Sequence, residues 1–314
     1  RWCRAWQNRK LLRSIGNTAG DDDQNPEHQD QQLAERFNEA MALLKKAWFT
    51  RSANGRFRPR WLQRFNREYL YQLPWFVIIG APGAGKTTAL LNSGLQFPLA
   101  EHLGNVTLRG AGGTRNCEWW LTSDAVLLDT AGRYALQQSH QQQDAGEWRR
   151  FINLLRKYRR HQPINGVIVT LSVSDLLTQD AAVAQQHASA LRQRLTELHQ
   201  LLGIAFPVYV LVTKVDLLQG FRAWSVALDN TQREQIWGFT FPWASSKLAD
   251  FALVSNLHME FSLLQQRLEA ALPDTLQQES DGQMRADIYL FPQQFSALRA
   301  PLVGMIATLF ARSD

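Results

Sequence analysis

The stretch that decides the fold of this chain reads Gly80-Ala81-Pro82-Gly83-Ala84-Gly85-Lys86-Thr87, and Thr88 follows it. An apolar run at residues 75–79 comes before it and a helical pattern comes after it, so we predict a strand, a glycine-rich turn and a helix. Glycines let successive backbone N–H groups surround an anion with no side chain in the way. The helix adds its positive dipole end, Lys86 supplies a charge for the β- and γ-phosphates, and Thr87 offers a hydroxyl to Mg²⁺. The stretch, together with Thr88, therefore predicts a phosphate-binding P-loop.

Short apolar runs alternate with helical patterns after this loop, which predicts an α/β sheet covered by helices. Two of the runs, residues 118–121 and 125–128, are separated by only three residues. A link this short makes the two strands antiparallel, because a parallel pair needs a long crossover. One antiparallel hairpin after the P-loop helix is the arrangement of a Ras-like GTPase. The predicted fold class is therefore an α/β P-loop NTPase with helical segments on either side.

The remaining elements follow from apolar periodicity. Leu33, Phe37, Ala40, Met41, Leu44 and Trp48 recur at helical spacing. Further helices are predicted at residues 145–158, 180–202, 249–272 and 291–310, strands at 166–171, 208–212 and 236–241, and a polar loop at 276–281. We divide the chain into a helical segment at 1–72, a P-loop NTPase domain at 73–272 and a C-terminal helical extension at 273–314.

The net charge of +6 is concentrated at one end of the chain. Residues 1–72 carry 14 Lys or Arg and 8 Asp or Glu, whereas the remainder carries 20 of each. A basic segment with Trp2 and Trp6 is typical of the cytoplasmic flank of a membrane helix, and a solvated basic tail is the alternative. The neutral body argues against a nucleic-acid-binding protein. Two cysteines far apart in sequence indicate reduced thiols.

Asp129-Thr130-Ala131-Gly132 follows the second strand of the hairpin, about 40 residues after the P-loop. In this position, Asp129 is expected to hold Mg²⁺ through a water molecule. The Gly132 N–H is expected to contact the γ-phosphate and to move when the γ-phosphate leaves. Ras-like enzymes place a glutamine next, to orient the attacking water, but this chain has Arg133 there. We therefore predict slow hydrolysis, or hydrolysis that uses another group. Arg133 and Lys86 are both candidate catalytic residues.

Thr213-Lys214-Val215-Asp216 follows the predicted strand at 208–212 and matches the base-reading element of GTPases. Asp216 would accept two hydrogen bonds from guanine, which adenine cannot reproduce, and the Lys214 stem would cover the ring. The alternative is an aspartate that caps a helix. Ser245, in Ala244-Ser245-Ser246-Lys247, is a weaker candidate for a further base contact.

Several stretches together resemble the IcmF family, whose type VI secretion members are called TssM. The P-loop is one of these stretches. The others are Gly112-Gly113-Thr114-Arg115-Asn116-Cys117-Glu118-Trp119-Trp120, Asp129 to Tyr134, Trp237 to Pro242 and Phe291 to Phe295. The similarity covers roughly residues 70–310, and its most specific part is the run from Gly112 to Trp120. Some members of the family lack an intact P-loop, whereas this chain keeps the complete element.

The resemblance implies a cytoplasmic domain of an inner-membrane protein in a Gram-negative secretion machine, placed between transmembrane helices. Its partners would be a smaller inner-membrane protein, an outer-membrane lipoprotein and cytoplasmic baseplate components. Within this setting, Thr114 would be the mobile-loop threonine that senses Mg²⁺ and the γ-phosphate. The family is also described as using ATP, so both GTP and ATP stay open.

We expect a Mg²⁺-dependent NTPase that acts as a switch or motor in a secretion complex. A structural scaffold that binds nucleotide without turnover is the alternative. A signal-recognition-type GTPase also fits Asp129 to Arg133, but the tight hairpin and the short interval from Lys86 to Asp129 argue against it.

Overall fold

A computed structural model describes residues 33–35, 37–42, 44, 70–96, 117–136, 141–226, 228–233, 235–246 and 251–311. The five strands of these ranges are β1 (Trp75–Gly80), β2 (Cys117–Leu121), β3 (Val126–Thr130), β4 (Gly166–Ser172) and β5 (Val208–Thr213). The helices up to β5 are α1 (Lys86–Leu91), α2 (Arg133–Leu136), α3 (Gln141–Tyr158), α4 (Val173–Thr178) and α5 (Ala181–Leu202). Those that follow β5 are α6 (Phe221–Val226), α7 (Asn230–Arg233), α8 (Trp243–Ser246), α9 (Leu253–Gln278), α10 (Gly282–Ala297) and α11 (Arg299–Leu309).

The strands form one mixed sheet in the order β2-β3-β1-β4-β5. β1 pairs in parallel with both β3 and β4, and β4 pairs in parallel with β5. β2 and β3 are antiparallel, with Cys117 opposite Thr130 and Leu121 opposite Val126. The predicted hairpin is therefore confirmed. Because β1 and β3 run in parallel, the loop after β1 and the turn after β3 lie at the same edge of the sheet.

Helices cover the two faces of the sheet unequally. On one face, the buried side chains of α3 and α5 pack with those of the strands, and Trp148, Leu155, Leu191 and Leu198 are all within this core. On the other face, Leu90 of α1 packs in a smaller cluster with Ile78, Trp120 and Leu127. The apolar strands β1 and β4 are buried on both faces, which is expected for the central strands of such a sheet.

Local signals account for several helix ends. The Asp180 carboxylate accepts a hydrogen bond from the Val183 N–H at 2.8 Å and caps the start of α5, while Gly203 ends that helix in the left-handed conformation. Asp281 caps α10 in the same way through the Met284 N–H. The predicted helix at 180–202 and the strands at 166–171 and 208–212 are confirmed within one or two residues. α3 begins four residues before its predicted start.

The N-terminal helical pattern is confirmed where the structure describes it. Leu33, Phe37, Ala40, Met41 and Leu44 are helical and buried, and Phe37 contacts Trp119 edge-to-face with ring centroids 4.7 Å apart. Trp48, Trp2 and Trp6 lie outside the described residues.

The predicted strand at 236–241 is wrong, because the described residues of this segment form no strand. Its alternating aromatic residues pack on the C-terminal helices instead of pairing with a strand. The Trp237 ring stacks on Phe295 with centroids 4.8 Å apart. Phe239 and Phe241 pack against the buried cluster of Leu257, Val303 and Ile306. Apolar residues at every second position indicate only that one side of an extended segment is buried. Here the C-terminal helices bury that side.

The C-terminal region also differs from the prediction. α9 continues through Pro273 to Gln278, so the predicted polar loop at 276–281 is reduced to the residues before α10. The position between residues 272 and 273, chosen as a domain boundary, lies within α9. The helix predicted at 291–310 is two helices, since α10 begins at Gly282 and α11 at Arg299. Within the described ranges, no helix is both long enough and apolar enough to cross a bilayer.

Candidate functional site

The predicted P-loop connects β1 to α1 at the carboxyl edge of the sheet. Its backbone turns at Gly83 and Gly85, which have φ values of 72° and 79°. These left-handed conformations disfavour any residue with a β-carbon. The Ala84 N–H donates to the Ala81 carbonyl at 3.1 Å and closes the turn. The exposed residues of the loop, Pro82 and Gly83, lie at its outer side.

The Lys86 side chain folds back into this loop. Its ammonium donates to the carbonyl oxygens of Gly80 at 2.9 Å and Ala81 at 3.1 Å. Burial lowers the pKa of Lys86, and the neighbouring Asp129 carboxylate opposes that shift. A cationic group is therefore held inside the loop, where a bound anion would compensate its charge.

Asp129 and Thr87 meet across the edge of the sheet. Asp129, opposite Ile78 in the parallel pair of β1 and β3, is completely buried. The Thr87 hydroxyl donates to Asp129 Oδ2 at 2.8 Å, whereas Oδ1 has no hydrogen-bond partner among the described residues. Burial raises the pKa of Asp129 to about 6, against the opposing effects of the Thr87 hydrogen bond and the Lys86 charge.

The oxygen atoms of Thr87 and Asp129 are the kind of ligands that Mg²⁺ takes in proteins. A buried carboxylate oxygen with no partner is costly, and a cation with its bound water would satisfy it. The residues present therefore fit the Mg²⁺ that the sequence predicts. Thr114, the third predicted metal ligand, lies outside the described residues.

Gly132 brings the turn after β3 against the backbone of the P-loop. A β-carbon at Gly132 would lie 2.5 Å from the Pro82 nitrogen and 2.6 Å from its α-carbon. No side chain fits at these distances, so a glycine is required. The contact places the turn that is predicted to sense the γ-phosphate directly beside the loop that is predicted to hold it.

Arg133, a predicted catalytic residue, is held by two acidic residues of α3. Its guanidinium forms ion pairs with Asp144 at 3.1 Å and with Glu147 at 2.5 Å. The Tyr134 hydroxyl also donates to Glu147, at 2.7 Å. The structure therefore places the Arg133 side chain against α3. The position that Arg133 occupies in the sequence is the one where Ras-like enzymes orient the attacking water beside the phosphate. Asp144 and Glu147 are not predicted site residues, although an acidic first turn in a helix close to Arg133 is a usable signal.

The predicted base-reading element is joined to the predicted P-loop by Thr213. Its hydroxyl donates to the Ala84 carbonyl at 2.6 Å and also lies 3.3 Å from the Leu171 carbonyl. Lys214 has a left-handed backbone, with φ of 58°, and precedes the 3₁₀ turn Val215–Leu217. A β-carbon at Gly85 would lie 3.9 Å from Lys214 Cγ, so the lysine stem lies beside the P-loop. Asp216 is exposed.

Ser245 lies in α8, at a distance from the other predicted base-reading residues. Trp243, which begins α8, lines a cavity together with Pro207 and Tyr209 at the amino end of β5. Thr213 is at the opposite end of that strand. The structure therefore brings the P-loop, Asp129, Gly132, Thr213 and Lys214 together and leaves the helix of Ser245 apart from them.

Glu118 lies next to the predicted site, although sequence analysis assigned it no role. It pairs with Asp129 across β2 and β3, and it is 6% exposed. A single carboxylate within the apolar strand Cys117–Leu121 is the signal that could have identified it.

Residues 141–314, more than half of the chain, match the IcmF-related N-terminal domain family. The chain belongs to the IcmF/TssM family. The type VI secretion system component TssM1 of Pseudomonas aeruginosa is 49% identical over 278 residues, which are 88% of this chain and 24% of that protein. The chain thus spans about a quarter of the length of this relative. The family match begins after the P-loop, so the P-loop assignment depends on its own geometry. No solved structure matches the chain.

Proposed function

We propose that this chain is a Mg²⁺-dependent nucleotide-binding switch domain with the P-loop NTPase fold and a Ras-like sheet. The observation that carries the proposal is the hydrogen bond of 2.8 Å from Thr87 to Asp129, made beside a buried lysine ammonium. It joins the two sequence elements that such a site requires, although 42 residues separate them in the chain.

The phosphate side of the proposed site consists of the P-loop and Lys86. The positive φ values at Gly83 and Gly85 shape the loop, and the ammonium of Lys86 is already directed into it. On binding, the β- and γ-phosphates would take over the hydrogen bonds that Lys86 now donates to the Gly80 and Ala81 carbonyls. A bound anion would also offset the cost of burying the ammonium.

Thr87 and Asp129 would hold Mg²⁺, together with Thr114. When held by these residues, the ion would neutralise negative charge that develops on the phosphate groups. Thr87 supplies a hydroxyl, and Asp129 supplies a carboxylate whose free oxygen is completely buried. The turn that contains Gly132 packs against the Pro82 backbone of the P-loop. Because Gly132 would also contact the γ-phosphate, loss of that phosphate would change the contact between the turn and the loop.

Turnover by the isolated chain is expected to be slow. Arg133 occupies the position where Ras-like enzymes have a water-orienting glutamine, and its ion pairs with Asp144 and Glu147 hold it at α3. This same observation favours a second candidate function, a scaffold that binds nucleotide with little or no turnover. The two candidates differ in phosphate release and share the binding site.

GTP is the favoured nucleotide, because Asp216, which would accept hydrogen bonds from guanine, is exposed in the segment that Thr213 joins to the loop through the Ala84 carbonyl. ATP is the alternative, because the phosphates and Mg²⁺ that the P-loop, Lys86, Thr87 and Asp129 would hold are common to both nucleotides.

For the whole protein, we propose a component of a type VI secretion apparatus, following the relative TssM1. The domain would lie on the cytoplasmic face of the bacterial inner membrane. A smaller inner-membrane protein, an outer-membrane lipoprotein and cytoplasmic baseplate components would be its partners. These assignments come from family membership and extend beyond the quarter of the relative that this chain spans.

Titration with fluorescent analogues of GTP and ATP, with and without Mg²⁺, tests the proposed function. We expect Mg²⁺-dependent binding that is at least about 100-fold weaker in Lys86→Ala, a loss of roughly 2.7 kcal/mol of binding free energy. Lys157→Ala is the matched control, because it removes the same charge from the exposed surface of α3. Phosphate release under single-turnover conditions then separates a slow switch from a scaffold.

Absence of binding of either nucleotide at millimolar concentration with Mg²⁺ would refute the proposed function. Equal affinities of wild type and Lys86→Ala would also refute it, because the P-loop would then not be the binding site.

A further inference from the structure

One carboxylate lies within the apolar first strand of the hairpin. Glu118 lies in β2 between Cys117 and Trp119, and all three side chains are buried. Glu118 is 6% exposed as a residue, and its carboxylate oxygen Oε2 is buried with no hydrogen-bond partner among the described residues. An ionised carboxylate in such surroundings is costly unless something compensates its charge.

The partner of Glu118 across the hairpin is Asp129, the carboxylate already assigned to the proposed cation site. Residues directly opposite in an antiparallel pair point to the same face of the sheet, with β-carbons about 4.5–5.5 Å apart. Both side chains therefore lie on the face that α1 covers. Asp129 is fully buried, and its Oδ1, like Glu118 Oε2, has no hydrogen-bond partner in the described part of the chain.

The charges around this pair do not balance. Lys86 is the cation that acts on Asp129, and its ammonium is already engaged by the Gly80 and Ala81 carbonyls. Neither Glu118 nor Asp129 forms an ion pair with a residue that the structure describes. Two adjacent buried carboxylates repel each other, and two free oxygens on one face are the arrangement that a divalent cation stabilises.

We propose that Glu118 and Asp129 form a two-carboxylate subsite that holds a divalent cation of the magnesium class, with the Thr87 hydroxyl as a further oxygen. The proposal deepens the proposed function, because it adds a residue to the same site. It differs in one consequence. Sites for Mg²⁺ usually combine one or two carboxylates with phosphate oxygens. Here we expect the second buried carboxylate to let the ion bind before nucleotide arrives.

The test measures Mn²⁺ binding to the nucleotide-free protein by electron paramagnetic resonance, with Mg²⁺ as competitor. Wild type is expected to bind one ion. Glu118→Gln keeps the shape of the side chain and removes its charge, so affinity should fall about 10- to 100-fold, as it does when a group supporting a metal site is removed. Glu269→Gln, an exposed carboxylate of α9, is the control and should bind as wild type does.

Thermal unfolding provides a second measurement that separates a cation-binding role from a structural one. Without metal, Glu118→Gln should unfold at the same temperature as wild type or higher, because the repulsion with Asp129 is gone. The increase in unfolding temperature that Mn²⁺ produces should be lost in this variant and partly retained in Glu118→Asp. If Glu118→Gln does not fold, the shorter Glu118→Asp still reports on the subsite through its Mn²⁺ affinity.

Equal Mn²⁺ affinities of wild type and Glu118→Gln would overturn the proposal. So would the absence of Mn²⁺ binding by nucleotide-free wild type, even if nucleotide with Mg²⁺ binds normally, and in that case the proposed function stands. Mn²⁺ binding that depends on Glu118, in a protein that binds no nucleotide, would support the subsite and refute the proposed function.

Discussion

The phosphate half and the base half of the proposed site are constructed differently. In the phosphate half, the buried Lys86 donates to the Gly80 carbonyl, Thr87 donates to the buried Asp129, and Gly132 is pressed against Pro82. In the base half, Thr213 is buried and bonded to the P-loop, whereas Asp216 is exposed.

This difference indicates which half depends on the fold and which depends on a ligand. A buried hydrogen-bonded group contributes to stability whether or not nucleotide is present, and its loss leaves a partner unpaired. An exposed aspartate contributes little to stability, so its effect should appear only when a base is bound. Substitutions can therefore separate the two halves by comparing unfolding free energy with affinity.

The largest effect is expected for Gly132→Ala. The new β-carbon would meet the Pro82 backbone at 2.5 Å, so the turn or the P-loop must move. We expect a loss of about 3 kcal/mol in unfolding free energy, at the upper end of overpacking costs, together with loss of nucleotide binding. Urea unfolding and nucleotide titration measure the two effects.

Gly146→Ala is the control for this substitution, because a β-carbon at Gly146 in α3 meets nothing within 4 Å. Its helical position should make it more stable, by up to about 1 kcal/mol. If Gly132→Ala is as stable as this control, the close contact between turn and P-loop does not exist in solution.

Thr87→Val should have the next largest effect. It preserves the shape of the side chain but leaves Asp129 Oδ2 without its hydrogen bond inside the protein. We expect about 2 kcal/mol of destabilisation and a loss of the Mg²⁺ dependence of nucleotide affinity. Calorimetry of nucleotide binding with and without Mg²⁺ measures this dependence. Thr178→Val, which makes the same change at an exposed position of α4, should retain it. An unchanged Mg²⁺ dependence in Thr87→Val would contradict the metal assignment.

Thr213→Val tests the connection between the two halves. The substitution removes the hydrogen bond of 2.6 Å to the Ala84 carbonyl. We expect about 1 kcal/mol of destabilisation and weaker binding of both GTP and ATP, because the bond supports the P-loop and does not read the base. Thr196→Val makes the same chemical change on the exposed surface of α5. Selective loss of GTP binding would instead place Thr213 in base recognition.

Asp216→Ala should have the smallest effect on stability, within about 0.5 kcal/mol, because the side chain is exposed. We expect it to remove the preference for GTP over ATP while Mg²⁺-dependent phosphate binding continues. Competition between the two nucleotides measures the preference. If wild type binds both equally and the substitution changes neither affinity, the guanine assignment is wrong.

Much of the fold was predictable because the deciding signals are local. Residues 118–128 must form a hairpin because their link is too short for any other pairing, and the structure contains it. Asp180 and Gly203 mark the ends of α5 in the sequence itself. The strand predicted at 236–241 failed for the opposite reason. Its period of two indicates one buried side, but not whether a strand or a helical surface buries it.

The candidate site likewise has features that local sequence specifies and features that depend on distant contacts. The sequence by itself determined the turns of the predicted phosphate-binding loop and the position of its lysine, because glycine positions and neighbouring residues set both. Only the tertiary structure decided that Asp129 bonds to Thr87, that Glu118 lies opposite Asp129, and that Arg133 turns to Asp144 and Glu147. These contacts join separate elements, and strand order, register and helix packing bring them together. No local pattern specifies such distances, because they result from how the whole sheet and its helices assemble.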